Sequence, residues 1–244
     1  IDFVVAGTAN LETFASVYEI FSMPYLFDSE EVYKSVMEDS DYMENVYEST
    51  DEAGFRVVTW YNAGTRNFYG KKPINTPDDL KGMKIRVPES DTFMKTFEAL
   101  GANPTPMAFS EVFTAVQQKT IDGLELPVAS AYTGSYYEVC SHYNLTGHFY
   151  NGLAMSISTK LWETLSPELQ EIFVEAAVEA GTEQRKWLAG KEQEMKDAMA
   201  EAGCTIVDDV DVVALRDAAA NVYDFYRNEI GADLQDRAMA FINS

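Results

Sequence analysis

Two arginines are the side chains of this sequence best suited to hold a small anion. Eight bases, Arg56, Arg66, Lys71, Lys72, Lys81, Lys84, Arg86 and Lys95, fall in one window that contains only four acids, Asp78, Asp79, Glu89 and Asp91. That window is positive in a chain whose 40 acidic and 18 basic residues give a formal charge of -22. An anion held there escapes the repulsive average field of the molecule. The lysines read mainly as bases balancing surface acids. Arg86 is different, because it alternates with Ile85 and Val87 in Lys84-Ile-Arg-Val87. On a strand, that spacing sends the two apolar neighbours to the core and leaves the guanidinium at a strand end, where α/β sheets dock their ligands. A buried cation without a partner costs several kcal/mol, so an anionic partner is expected. A planar guanidinium makes two parallel bonds to a carboxylate, which an ammonium cannot reproduce. Organic acids are therefore the expected ligand class.

Catalytic chemistry has less support. The only two histidines, His142 and His148, are not spaced to share a helix face as a zinc pair, and both read as ordinary surface or strand-end residues. No Gly-x-Ser-x-Gly elbow, Walker loop or Gly-x-Gly-x-x-Gly run is present. The pairs Asp78-Asp79 and Asp208-Asp209 fit helix starts, where they complement the dipole. Cys140 and Cys204 could form a disulfide or remain buried thiols; buried structural thiols are the favoured reading. No catalytic residue, metal or cofactor is expected. Asn144-Leu-Thr146 matches a glycosylation acceptor by chance, and Tyr132, Tyr136 and Tyr137 fit either a sugar-like pocket or helix packing.

With 46% apolar and 13% aromatic residues, 244 residues suffice for one large core or two modest ones. No apolar run approaches the roughly 20 residues that span a bilayer. The strong negative charge argues against nucleic acid and against anionic membrane surfaces.

The elements that must position Arg66 and Arg86 alternate between strand and helix. Strands are expected at Ile1 to Ala6, Phe55 to Tyr61, Lys84 to Val87, Asn103 to Pro106, Gly123 to Leu126, Leu153 to Ser158 and Cys204 to Val207. Asn62 to Thr65 reads as a turn. Helices are expected after Ser29, over Asp41 to Ser49, and from Asp91 to a left-handed stop at Gly101. Another follows Ser110, and Pro127 opens the next. Ser166-Pro167-Glu168 starts one very long helix, broken only by Gly181 and Gly190, with Leu169, Ile172, Phe173, Ala176, Ala177 and Ala180 as its buried face. Val210 to Glu229 and Ala232 to Ile242 read as closing helices. The pattern predicts an α/β fold with a mostly parallel sheet covered on both faces. The chain opens directly on a strand, so an upstream segment is expected.

The ordered set Gly64-Thr-Arg66, Lys72-Pro-Ile74, Pro77-Asp-Asp-Leu-Lys-Gly-Met-Lys-Ile-Arg-Val-Pro88, Gly101-Ala-Asn-Pro-Thr-Pro-Met-Ala-Phe-Ser-Glu-Val112, Gln117 and Asp122-Gly-Leu-Glu125 resembles the solute receptors of TRAP transporters, the DctP-like family. Pro24-Tyr-Leu-Phe27 and Leu165-Ser-Pro-Glu-Leu-Gln170 extend the resemblance along essentially the whole chain. It implies a two-lobed, periplasmic-binding-protein-like fold whose long helix spans both lobes, closing on its ligand like a Venus flytrap. One lobe is expected from 1–63 with 152–191, lacking its N-terminal elements, and the other from 64–151 with 192–244. The resemblance implies a periplasmic, non-enzymatic monomer that delivers a small organic acid, a sugar acid or dicarboxylate, to membrane permease subunits. Carried over by position, Arg86 resembles the principal carboxylate-binding arginine and Arg66 a second one. Phe109 corresponds to a pocket aromatic, and Gly7 and Thr8 to a loop touching solute from the other lobe. Leu126 stands where some relatives have asparagine, which argues against a sialic-acid-like pattern; with Phe109 it is expected to pack the carbon skeleton of the solute.

Overall fold

The computed structural model describes residues 1–229. Its seven strands form one sheet in the order β1-β6-β2-β5-β3-β4, with β7 beside β6. The strands are β1 (Phe3–Gly7), β2 (Phe55–Gly70), β3 (Lys84–Val87), β4 (Asn103–Pro106), β5 (Gly123–Pro127), β6 (His142–Ser158) and β7 (Thr205–Val207). Only the pairings β3·β4, β3·β5 and β6·β7 are parallel; β1·β6, β2·β5 and β2·β6 are antiparallel. The expected mostly parallel sheet is thus corrected to a mixed one. The cause is that two strands are far longer than their apolar cores suggest. β2 does not turn at Asn62 but runs on to Gly70 through a register shift between Asn62 and Thr65, and Gly64 inside that irregularity takes φ +95°. β6 begins eleven residues before Leu153, at His142.

Ten helices occur among the described residues: α1 (Glu30–Glu38), α2 (Ser40–Glu48), α3 (Pro77–Leu80), α4 (Asp91–Ala99), α5 (Phe109–Gln117), α6 (Val128–Thr133), α7 (Thr159–Trp162), α8 (Pro167–Glu201), α9 (Val212–Ala219) and α10 (Val222–Glu229). Their starts follow capping chemistry. Ser29, Ser90 and Ser166 each accept a bond from the third residue onward, satisfying a free N–H of the first turn. Gly101 after α4 takes φ +85°, a backbone state that glycine adopts without penalty. Ser110 lies inside α5 rather than capping it, since Ala108 holds the cap position. The expected helix over Ala232 to Ile242 lies outside the described residues.

α8 is one unbroken helix of 35 residues, about 52 Å long. Its early part does not bury the expected face: Leu169 and Ile172 are more than half exposed, and of the six residues only Ala177 is fully buried. The real contacts come later, where Leu188, Met195 and Met199 are buried. At the middle, Gly181 passes so close to β2 that a Cβ there would stand 2.7 Å from Trp60 O. Gln184 next to it exchanges two bonds with the Asn62 backbone, 2.9 Å from Asn62 N to Oε1 and 2.7 Å from Nε2 to Asn62 O. Arg185 donates to Trp60 O at 2.9 Å and stacks on its ring at 4.3 Å.

The apolar interior divides into four clusters. The first gathers Tyr18, Phe21, Phe27, Tyr33 and Trp60, and the small fourth gathers Val58, Ile157 and Ala177. The second holds Tyr69, Leu124, Leu126, Tyr136, Tyr143 and Met199, and the third Phe68, Ile85, Val87, Phe93 and Phe149. β2, β6 and α8 are the elements that run from the first pair of clusters to the second. Ala9 crosses in one direction and Val222 with Tyr226 in the other.

Candidate functional site

Arg86 lies on β3 with 5% of its surface exposed, between Ile85 and Val87, both fully buried in the third cluster. Parallel partners share a face, so the register Arg86↔Leu124 puts the guanidinium on the opposite face, with Leu124 and Leu126. Its Nε and Nη2 donate to Met107 O at 3.0 Å and 2.7 Å, and the Phe109 ring lies 5.8 Å from its Cζ. No carboxylate of the described residues comes within ion-pair distance of it. Burial pushes its pKa below the ordinary arginine value, the charge of Arg66 adds to that, and Glu125 opposes it. Among the described residues the Met107 carbonyl is its one hydrogen-bond partner.

Phe109 opens α5 and is 52% exposed, tilted against the buried Tyr136 at 5.9 Å. Leu126 is buried in the second cluster on the Arg86 face. Arg86, Phe109 and Leu126 therefore gather near the C-terminal ends of β3 and β5. Tyr136 is an aromatic of this group whose role the sequence left open, while Tyr132 stacks on Tyr137 at 6.1 Å.

Arg66 sits on β2 opposite Pro127, and Phe68 opposite Glu125, which places Arg66 and Glu125 on the face turned away from Leu126. Its guanidinium is already engaged. Nε and Nη2 grip the Glu125 carboxylate, Nη2 also reaches Glu125 O at 3.1 Å, and Nη1 donates to Asn151 Oδ1 at 2.9 Å. The ring of Phe93 lies 5.1 Å from its Cζ. Glu125 is fully buried; burial opposes its ionisation, but the charge of Arg66 and the bonds from His148 and Arg66 outweigh it and hold its pKa below the usual value.

His148 corrects the sequence reading. It is not a surface or strand-end residue but lies inside β6 with 2% exposure. Burial lowers its pKa, only partly offset by Glu125, so the ring is neutral near pH 7. Nε2 lies 3.4 Å from Glu125 Oε2 and Nδ1 2.9 Å from Thr146 Oγ1. A carboxylate only accepts, which makes Nε2 the protonated nitrogen and Nδ1 the acceptor of the Thr146 hydroxyl. Glu125 and Asn151 were not expected in the site from sequence, and His148 was placed elsewhere; Glu125 alternating with leucines in Gly123-Leu-Glu-Leu126 was the available sign.

Gly7 ends β1 beside this network: a Cβ there would meet Asn10 Nδ2 at 3.6 Å and Asn151 Oδ1 at 4.0 Å. Thr8 is buried. The six expected residues thus form two groups, Arg86 with Phe109 and Leu126, and Arg66 with Gly7 through Asn151, while Thr8 lies beside Gly152.

The remaining chemistry is structural. Asn144 uses its amide inside the sheet, accepting from Ile74 N at 2.7 Å and donating to Phe68 O at 3.3 Å, so no glycan fits. Cys140 and Cys204 are buried free thiols, and burial pushes the Cys140 thiol up to about 12. No group of three metal-ligating side chains occurs among the described residues, and no helix there is long and apolar enough to cross a membrane. A groove of about 660 Å³ between α2, β2 and α8, lined by Trp60, Trp162 and Tyr47, contains none of the six residues and offers no unpaired cation: Arg56 faces Asp51 and Arg185 faces Glu38.

Residues 1–229 match the family model described as bacterial extracellular solute-binding protein, family 7 (DctP). Over 239 residues, 96% of this chain and 72% of the relative, the sequence is 35% identical to the 2,3-diketo-L-gulonate-binding periplasmic protein YiaO of Escherichia coli. A TRAP periplasmic solute-binding protein from Anaerococcus prevotii, solved with bound α/β-D-glucuronate, superposes with a TM-score of 0.93 at 36% identity, covering 99% of this chain and 79% of that one. One from Polaromonas, solved with D-erythronate, gives 0.94 at 31% identity over 98% and 79%.

Proposed function

Since this chain belongs to the family of bacterial extracellular solute-binding proteins, family 7, we propose that Arg86 is the group that takes the carboxylate of its solute. The protein is an extracytoplasmic receptor of the TRAP type for small organic acids. The observation that carries the assignment of Arg86 is a buried guanidinium with no carboxylate of the described residues at ion-pair distance, on the face that also bears Leu126 and Phe109. A carboxylate arriving there supplies the missing charge, and removal from water strengthens the bond. Phe109 and Leu126 pack the carbon skeleton. Arg66 assists through its field and its hold on Asn151 beside Gly7, because its own fork is filled by Glu125. The solute class is a sugar acid, as in the relatives solved with glucuronate and erythronate.

Residues 1–63 with 152–191 act as one lobe and 64–151 with 192–244 as the other; the separate core clusters support this division except at Ala9, which packs in the third cluster, and at Val222 and Tyr226, which pack in the first. The receptor works as a monomer, hands its solute to membrane permease subunits, and performs no chemistry on it. A thermal-shift screen with D-glucuronate, D-galacturonate, D-erythronate and succinate tests the reading. Binding at a hundredfold excess over Kd stabilises by about 2.7 kcal/mol. The bound acid is expected to be recovered unchanged by mass spectrometry; conversion would show an enzyme, and no shift with any acid would remove the carboxylate site.

A further inference from the structure

The two cysteines of the chain lie far apart in sequence and meet in the fold. Cys140 ends the turn after the 3-10 segment Tyr136–Glu138, and its N–H donates to Tyr136 O at 2.9 Å. Cys204 follows Gly203, whose φ of +97° turns the chain out of α8, and its N–H reaches back to Met199 O at 3.0 Å. Two strands leave these turns side by side: β6 and β7 are parallel, with His142 opposite Thr205. The Thr205 N–H donates to Ser141 O at 2.8 Å, which carries the register one step back and sets Cys204 across from Ser141. Cys140 is then one residue off that rung. Strand spacing and rise give such a diagonal a Cα separation of about 6 Å. Disulfides span about 4.4–6.8 Å.

The two side chains enter the same space. Cys204 Sγ lies 3.8 Å from Cys140 O, and both cysteines are buried in the second cluster with the stacked rings of Tyr69 and Tyr143. Both are thiols in this structure. Among the described residues no group of three metal-ligating side chains includes them, so the pair is not part of a closed metal centre. The receptor is extracytoplasmic, where thiols meet oxidants rather than a reducing pool.

We propose that Cys140 and Cys204 are an oxidative modification site, closed as an intrachain disulfide by exchange with a thiol oxidant that itself carries a disulfide. One cysteine thiolate attacks the oxidant's disulfide and expels one of its sulfurs as a thiolate. The second cysteine thiolate then attacks the mixed disulfide and expels the other. The Cys140–Cys204 bond forms, the oxidant's bond breaks, and the oxidant takes up two electrons and the two protons the cysteines lose. The exchange belongs to the open chain, because burial keeps both thiols protonated once the second cluster has closed, and only a thiolate attacks. The bond makes a covalent ring of the 64 positions between the cysteines, which include β6, α7 and α8. It also fixes the end of α8 to the turn that carries Tyr136, the aromatic beside Phe109. The inference draws on the extracytoplasmic setting and owes nothing to the assignment of Arg86.

Thiol counting on the full chain, exported to a bacterial periplasm and purified without reductant, decides whether the bond forms. Unfolded in iodoacetamide, the protein is expected to take up no alkyl group, and to take up two once it has been reduced. A peptide map of the unreduced protein should join the Cys140 and Cys204 peptides within one chain. Two alkyl groups before reduction, or a bond between two chains, overturns the proposal. Urea unfolding asks whether the bond suits the native fold. The oxidised wild type is expected to unfold at a midpoint roughly 1 M higher than the same protein refolded and unfolded in reductant, since the ring restricts the unfolded chain. Cys140→Ala combined with Cys204→Ala should give one midpoint with or without reductant. Equal wild-type midpoints, or a reductant effect that survives in the double variant, count against the bond as part of this fold.

Discussion

Arg66 and Arg86 are both buried, on β2 and β3, the two strands that flank β5 in one sheet, yet they face opposite electrostatic situations. Arg66 has a complete internal shell: the Glu125 carboxylate, the Asn151 amide and the Phe93 ring, with His148 and Thr146 steadying the acid from behind. Among the described residues Arg86 has one carbonyl and the ring of a half-exposed phenylalanine. Residue type and burial alone therefore do not identify a binding cation. What distinguishes the two is whether the protein already provides the opposite charge. A satisfied pair is architecture, and an unsatisfied cation kept dry is a place where binding energy is stored.

The largest way to break this contrast is Arg66→Met. It leaves Glu125 buried without its partner, which is expected to cost about 3–5 kcal/mol of stability in chemical unfolding. Adding Glu125→Leu removes the stranded charge and should restore most of the loss; a double variant as unstable as the single would show that the pair is not a self-contained unit. The pair also has a pH signature. Its carboxyl is held below the ordinary value, so its contribution is present above the unfolded value and disappears as pH falls below it.

Arg86→Ala should behave the other way, with stability nearly unchanged and affinity for the acid found in the thermal screen reduced about hundredfold, or about 2.7 kcal/mol, by calorimetry. Arg86→Lys, which keeps the charge and loses the fork, should fall between. Unchanged affinity in Arg86→Ala would erase the distinction between the two arginines. The smallest effect is expected at Gly7→Ala. The added methyl finds ordinary contact distances to Asn10 and Asn151, so stability should move by less than about 1 kcal/mol. A change in solute affinity against that quiet background would put the Gly7 loop in contact with ligand.

Much of this was legible in the residues. The long α8 announced itself through Ser166-Pro167-Glu168, because a cap, a proline and an acid in the first turn agree with one another. Arg86 was legible because Ile85 and Val87 fix its alternation. β6 was not, because its first half inverts the usual rule. Asn144, Thr146, His148 and Asn151 point inward there, and a strand with polar residues inside shows no apolar period to read. The same inversion hid the shell around Arg66. Asn151 and His148 lie 85 and 82 positions from Arg66, and only the β2·β6 ladder brings them beside it. The exposed Leu169 and Ile172 show the converse limit, since helical spacing of apolar residues does not guarantee that anything covers them.

The tight passage of Gly181 over Trp60 O gives α8 a fulcrum. About 21 Å of helix lies before that point and about 30 Å after it. A rigid rod pivoting there is a lever with unequal arms: a few degrees of tilt moves the Glu201 end nearly half again as far as the Pro167 end. Even a modest side chain at position 181 would lift the rod off its bearing and change that leverage without touching either arginine.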